Sequence, residues 1–284
     1  MGLPAFELHS PTSIAEATAL LDRHGDEAVV YSGGTELLLL MKLGFAEPRH
    51  LVDVKRIDEL RTLEASEDAL TIGGAVTHRE IEQSQTVRDR WPALAEMERG
   101  VANIRVRNAG TLGGNLCFSD PHSDPLTFLL AADAEVVLGR GPARRTVPVA
   151  DFVRGPYTTA LQAGEILVAV RVPALPPGAA VVHRKLAFRE RPAVTVAAFA
   201  CVRADQIVEA RIAVGSVGPV PVLVAEAGRA LVGRPGADEI EAAGALAASG
   251  SGATSNANGS AEYKRNLVRV LVGRAFRAAA DRSG

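Results

Sequence analysis

Two short stretches hold the residues best suited to chemistry. One is Tyr31-Ser-Gly-Gly-Thr-Glu-Leu37, which follows the apolar run Ala28 to Tyr31 and leads into a Leu-rich segment. The other is Asn108 to Pro125, NAGTLGGNLCFSDPHSDP. A connecting loop can be that polar, but a Gly-Gly pair followed at once by Asn asks for a cause. Gly113 and Gly114 imply either positive φ or a backbone too close to something for a Cβ. Successive exposed N–H groups in such turns form a concave anion site. The first stretch permits two readings: a strand-to-helix turn relieved by glycine, or a phosphate cradle of two glycines with Thr35 as hydroxyl donor. Glu36 disfavours a bare triphosphate there and suits a ribose or ribityl hydroxyl better. Neither stretch is a Walker A loop or a Gly-x-Gly-x-x-Gly fingerprint, which disfavours an ordinary nucleotide triphosphatase or Rossmann dehydrogenase. What fits is a pyrophosphate held by two separate Gly-Gly turns, with Asn115, Ser119 and Asp124 available to hydroxyls. FAD has that composition.

The elements that must position these loops follow from pattern. Phe6 to His9 is expected as a strand, and Ser13-Ile-Ala-Glu16 as a capping box opening a helix to about His24. Strands are expected at Ala28–Tyr31, Leu51–Val54 and Ala69–Ile72, with a short helix at Thr35–Lys42. Helices are expected at Arg79–Ser84 and Trp91–Arg99, then the polar stretch as a loop, then a short helix at Pro125–Leu130. Strands follow at Glu135–Leu138, Arg145–Val149 and EILVAVRVP, and ALPPG (Ala174 to Gly178) marks a linker. Beyond it lie three β-rich runs, VVHRKLAF, TVAAFACVR and IVEARIAVGSVG, then helices at Val222–Leu231, Ala237–Ala248 and Ala261–Ala280. The last repeats apolar residues from Leu267 to Ala279 at helical spacing. The mixed order predicts α+β in two parts.

Bulk composition agrees. The chain has 284 residues, 47% hydrophobic and 23% charged, enough for about two folded domains. A net charge of −2 and 4% aromatic residues disfavour nucleic acid as a partner. Cys117 and Cys201 are the two cysteines, so thiolates alone cannot hold zinc or an iron–sulfur cluster here. Sparse cysteine and the lack of a basic-then-apolar N-terminal pattern lead us to expect a cytoplasmic protein without a transmembrane segment.

The paired loops resemble those of the FAD-binding medium subunit of the molybdenum hydroxylases, the carbon monoxide dehydrogenase and xanthine dehydrogenase type. That family's Ala-Gly-Gly-Thr-Asp/Ser-Leu loop is matched by Ser32-Gly33-Gly34-Thr35-Glu36-Leu37, and its Gly-Thr-Ile-Gly-Gly-Asn loop by Gly110-Thr111-Leu112-Gly113-Gly114-Asn115. The family's Asp-Pro-Ala-x-Asp is matched by Asp120-Pro-His-Ser-Asp124, and LVDVKRIDEL, IGGAVTHREIE, YTTAL, GEILVAVRVP, KLAFRERPAVTVA and SAEYKRNLVRVLVGRAF fall at matching spacing. The resemblance thus covers nearly the whole chain. It implies an α+β fold, with an FAD-binding domain over 1–175 (two subdomains, roughly 1–55 and 56–175) and a smaller C-terminal domain of sheet plus helices over 179–282.

Carried over by position, the resemblance implies that Ser32 to Leu37 and Gly110 to Asn115 wrap the pyrophosphate and nearby sugar of a non-covalent FAD. Asp124 would bond adenosine or ribityl hydroxyls, Val101 and Ala102 would line the cofactor, and Leu167 and Lys185 would approach the flavin end. Lys185 has an equal alternative as a solvated strand lysine. His122 stands where the family has a small residue and is expected to face solvent or ribose; Cys117 is expected as a small buried residue. The missing cysteine-rich insertion disfavours relatives that carry an additional cluster. No catalytic residue and no metal ligand are assigned. Molybdopterin and two-iron clusters would reside on a large and a small partner subunit, in a dimer of heterotrimers. Two rivals stay open at this point: a stand-alone flavin oxidase of the same architecture, and a non-enzymatic sugar-nucleotide binder.

Overall fold

A computed structural model describes residues 2–188 and 191–283; Met1, Arg189, Glu190 and Gly284 lie outside it, so two residues of the KLAFRERPAVTVA match are not described. The chain opens with β1 (Glu7–His9) and α1 (Ile14–His24), which starts where the Ser13 hydroxyl accepts the Glu16 N–H. β2 (Ala28–Tyr31), α2 (Leu37–Leu43) and β3 (His50–Asp53) complete a three-stranded parallel sheet with β3 in the middle. The expected helix start at Thr35 is two residues early, because Gly34 takes φ +69° and cannot join a right-handed helix. Val54 leaves the expected strand for a 3-10 turn, held by the Asp53 carboxylate accepting the Lys55 N–H.

β4 (Leu63–Ala65) and β5 (Ala69–Gly73) lead into α3 (His78–Gln83), α4 (Gln85–Arg90), α5 (Pro92–Arg99) and α6 (Ile104–Ala109). The polar stretch expected as a loop is largely helical: α7 (Leu112–Phe118) and α8 (Asp124–Ala131) occupy most of it. Pattern alone missed α7 because two glycines sit in its first turn, where helix propensity is poorest. Its start is fixed instead by Thr111, whose hydroxyl accepts the Gly114 N–H at 3.0 Å. β6 (Glu135–Arg140), β7 (Ala143–Pro148), α9 (Val149–Phe152), the small β8–β9 ribbon (Val153–Gly155, Thr158–Thr159) and β10 (Ile166–Pro173) follow. β10 inserts between β5 and β6, giving a five-stranded sheet of order β4-β5-β10-β6-β7.

The third sheet is a meander of β11 (Ala179–Ala187), β12 (Pro192–Arg203), β13 (Gln206–Gly215) and β14 (Val222–Leu223). Val222 and Leu223 pair with Val214 and Ala213, so the helix expected over 222–231 shrinks to α10 (Ala225–Arg229). β-prone Val222 gains more from the sheet edge than from a helical turn. α11 (Ala237–Gly250) and α12 (Ala261–Ser283) close the fold. β12 joins the two halves of the chain through its two-residue period. Ala197, Phe199 and Cys201 face a core shared with Leu70, Leu94 and Leu126, while Val194, Val196 and Ala198 face α11 and α12 through Ala243, Val268 and Val272. Among the described residues no helix is long and apolar enough to cross a membrane.

Candidate functional site

A cleft of about 780 Å³ runs between the β2–α2 turn, α7 and the start of β10. It falls within the usual range of small-molecule sites, roughly 300–1,000 Å³. Ser32, Gly33, Gly34, Thr35, Glu36 and Leu37 form one wall. Gly110, Thr111, Gly113, Gly114, Asn115 and Asp124 form the other, and Val101, Ala102 and Leu167 are among the remaining lining residues. Lys185 is not on the lining. A smaller hollow of about 270 Å³ between β13 and α10 contains none of these residues.

The first wall is a strained turn. Gly34 sits at φ +69°, where a side chain would strike the Tyr31 ring. A Cβ on Gly33 would run into the Ala109 carbonyl and lie 2.6 Å from Gly110 Cα, so the two walls meet backbone to backbone. The Ser32 and Thr111 hydroxyls are 3.1 Å apart and tie them further. The N–H groups of Gly33, Gly34 and Thr35 donate to no protein acceptor among the described residues. Successive free N–H groups along a polar cleft make an anion site.

The second wall is helical. Gly113 and Gly114 are not in the positive-φ region; the close-approach alternative applies to Gly113, whose Cβ would collide with the Gly74 carbonyl. Leu112 N–H donates to the Val76 carbonyl at 3.1 Å, fixing that contact. A Cβ on Gly114 would meet only the Thr111 hydroxyl, at 2.9 Å, with no other atom near it. Ser119 ends α7 in the left-handed region, and Asn115 accepts from the Ser123 hydroxyl at 2.6 Å.

Charged groups flank both walls. Asp124 is buried, and its Oδ2 accepts from Lys185 Nζ at 2.8 Å; the same ammonium donates to the Gly100 carbonyl at 2.6 Å. Lys185 is therefore neither freely solvated nor part of the lining, but stands behind Asp124. Burial pushes the Asp124 carboxyl up while Lys185 opposes it. Its Oδ1 has no hydrogen-bond partner and lies 3.6 Å from His183 Nε2, likewise unpartnered. Burial, helped by Lys185 and Arg184, lowers His183 to about 3, so the ring is neutral at pH 7. Glu36 is raised by burial, with Arg191 opposing; Arg191 reaches Glu36 at 3.1 Å and Asp120 at 2.6 Å across the cleft mouth.

Sequence reasoning missed Arg191, Asp120 and His78 as lining residues. Arg191 meets Glu36 across 155 positions, a contact no local pattern encodes. His78 Nδ1 and Glu98 Oε2 form a buried 2.6 Å pair; the capping box at Thr77 and Glu80 marks the helix but not the partner. His122 does line the cleft, and its Nδ1–H donates to the Pro192 carbonyl at 2.8 Å. Cys117 lines it too, with burial pushing its thiol up to about 12, so it is no thiolate nucleophile. Free N–H groups at a backbone junction, hydroxyls beside them and apolar Val101 and Leu167 beyond suit a pyrophosphate-bridged cofactor with a flat ring, and FAD fits.

Comparison with known proteins gives the same answer. The family model for the FAD binding domain in molybdopterin dehydrogenase matches residues 4–175, and that for the CO dehydrogenase flavoprotein C-terminal domain matches 185–279. The chain is 35% identical over 280 residues to the carbon monoxide dehydrogenase medium chain of Hydrogenophaga pseudoflava, covering 97% of each. It is 33% identical over 285 residues to the nicotine 6-hydroxylase medium subunit of Paenarthrobacter nicotinovorans, covering 100% of each. A solved carbon monoxide dehydrogenase from Hydrogenophaga pseudoflava superposes with TM-score 0.95 at 34% identity, over 100% of this chain and 99% of that one. A cleft built for a pyrophosphate and a match that runs from end to end lead to one conclusion: the chain belongs to the FAD-binding medium subunits of the molybdenum hydroxylases, an oxidoreductase family.

Proposed function

We propose that this chain is the electron-transfer flavoprotein subunit of a molybdenum-dependent hydroxylase. It takes electrons from an iron–sulfur partner subunit and passes them to an external acceptor. Bound FAD supplies the redox chemistry; the chain's own residues bind and orient it. The N–H groups of Gly33, Gly34 and Thr35 hold the pyrophosphate, with the Ser32 and Thr111 hydroxyls fixing the two walls that close on it. Gly114 leaves room for close approach, Asn115 and Glu36 serve sugar hydroxyls, and Val101, Ala102 and Leu167 exclude water. Asp124 is positioned by Lys185, which acts from behind the wall. In this reading 1–175 binds the cofactor and 179–282 buttresses it. Molybdopterin and two-iron clusters belong to a large and a small partner, assembled as a dimer of heterotrimers in the cytoplasm.

The observation that carries the proposal is the run of free N–H groups at Gly33–Thr35, set against the Thr111 end of α7. Purified protein should hold about one FAD per chain, since one cleft carries one such cradle. Acid precipitation should leave the yellow colour in the supernatant. Colour kept in the pellet would show a covalent bond. The isolated chain should fail to reduce its flavin with any hydroxylase substrate, because Cys117 and Cys201 cannot build an internal donor cluster. Co-expression with the two partners should restore reduction. Substrate-driven bleaching by this chain alone would favour a stand-alone oxidase instead.

A further inference from the structure

Away from the cleft, three histidines converge on the parallel N-terminal sheet. His9 ends β1, His50 begins β3, and His24 is the last residue of α1, just before Gly25 turns the chain at φ +51°. One ring nitrogen from each lies within 4.8 Å of the other two. His9 Nε2 and His50 Nδ1 are 3.0 Å apart, and the His24 ring stacks on His50 with centroids 3.7 Å apart. Glu7 stands opposite His50 in the β1–β3 register, its carboxylate 3.6 Å from His50 Nδ1 and 3.8 Å from His9 Nδ1. None of His9, His24 and His50 lines the cleft.

We infer that His9, His24 and His50 form a three-histidine binding site for a divalent transition cation of the zinc type, with the Glu7 carboxylate beside it. Imidazole nitrogen and carboxylate oxygen suit zinc, with ligand bonds of about 2.0–2.1 Å in a tetrahedron. Those bonds place ligand atoms about 3.3–3.5 Å apart by tetrahedral geometry. The 3.0 Å pair is already near that spacing, and the third nitrogen, within 4.8 Å, reaches it by a side-chain rotation. Neutral His is the form a metal takes. The nearby Arg49 is turned to Glu27, at 3.3 Å. Arg23, the residue before His24, opposes a cation there, and the Glu7 carboxylate acts in the other direction.

The cation would tie together β1, α1 and β3, elements far apart in sequence. Gly25 and Asp26, immediately after His24, line the cleft, so the same staple would firm one end of it. The set is not legible in sequence because its ligands spread from residue 9 to residue 50 with no compact motif.

The test uses the full chain with its flavin, free of any polyhistidine tag, stripped with a chelator and titrated calorimetrically with zinc chloride. The expected result is one zinc per chain, bound at least about tenfold more weakly by His24→Gln, the scale on which zinc-site losses run. Zinc should raise the melting temperature of the wild-type chain more than that of His24→Gln at the same zinc concentration. Before zinc is added, flavin content should be the same in both, since none of the three rings lines the cleft. A His9→Gln/His50→Gln variant should bind no stoichiometric zinc. Because that double variant disturbs two strands, His24→Gln at the helix end is the deciding one. Absence of stoichiometric zinc, or equal affinity in wild type and His24→Gln, overturns the site and leaves the three rings as packing alone.

Discussion

The two walls of the cleft use the same sequence device for different physical ends. Each has a Gly-Gly pair, a hydroxyl beside it and an acid held by a base. On the β2–α2 wall, Gly34 takes a left-handed conformation and the turn leaves three N–H groups free. On the α7 wall, both glycines are helical; Gly113 is small because Gly74 lies against it, and Gly114 because the cleft does. The acids differ in the same way. Glu36 and Arg191 pair at the half-exposed mouth, whereas Asp124 and Lys185 pair where the carboxylate is only 5% exposed. A Gly-Gly motif therefore identifies a place of close backbone approach, and only the conformation says whether ligand or protein approaches.

The ion pairs give the sharpest contrast. Lys185→Met strands a buried carboxylate, and such a break costs about 3–5 kcal/mol. Arg191→Met at the mouth should cost less, because Glu36 stays half-exposed there, although it also leaves the buried Asp120 carboxylate without its arginine. Denaturant midpoints measure both. The Lys185→Met deficit also has a pH signature. Without the ammonium, Asp124 rises further above its unfolded value, so the folded chain binds the proton first. The penalty is full above the folded pKa and shrinks as pH falls through it toward the unfolded value. A deficit that deepens on acidification would contradict this account of the buried pair.

The glycines of α7 come next. Gly113→Val drives a side chain into the Gly74 backbone, and overpacking of that kind costs about 1–3 kcal/mol or more. Flavin should be lost in proportion to folded protein. Gly114→Val meets only the Thr111 hydroxyl, so the helix should persist while the new side chain fills the cofactor's space. Its circular dichroism should stay near wild type as the flavin-to-protein ratio collapses. Equal behaviour of the two variants would erase the distinction between protein-facing and ligand-facing glycine.

Legibility followed the range of the forces involved. Strands and helices set by local period or a side-chain cap, such as β2, α1 and α12, were visible in sequence. α7 was hidden, because its glycines argue against helix and only Thr111 and the Val76 contact argue for it. The β14 edge was hidden too, since Val222 pairs with Val214 only once the meander has formed. For the site, the Ser32 to Leu37 and Gly110 to Asn115 walls were readable from the two loops, whereas the side formed by residues from 21–30 and 161–166 was not. The neutral state of His183, the place of Lys185 behind Asp124 and the Arg191 bridge depend on burial and on contacts across dozens of positions.

The smallest expected effect tests whether the walls act as one unit. Ser32 and Thr111 share a hydroxyl contact of 3.1 Å, and Thr111 also accepts the Gly114 N–H. Ser32→Ala removes one partner but leaves that cap intact, so its cost should be that of one hydrogen bond, about 0.5–1.5 kcal/mol. Thr111→Val loses the same contact and the cap as well, about 1 kcal/mol more. If the hydroxyl pair joins the walls, the double variant will cost less than the sum of the singles, by an amount near the Ser32→Ala effect. On the proposed reading, in which the N–H cradle and α7 together grip one pyrophosphate, flavin affinity should show the same coupling. Strict additivity in both readouts would mean that the backbone contact of Gly33 with Ala109 and Gly110 joins the walls alone, with the hydroxyls as bystanders.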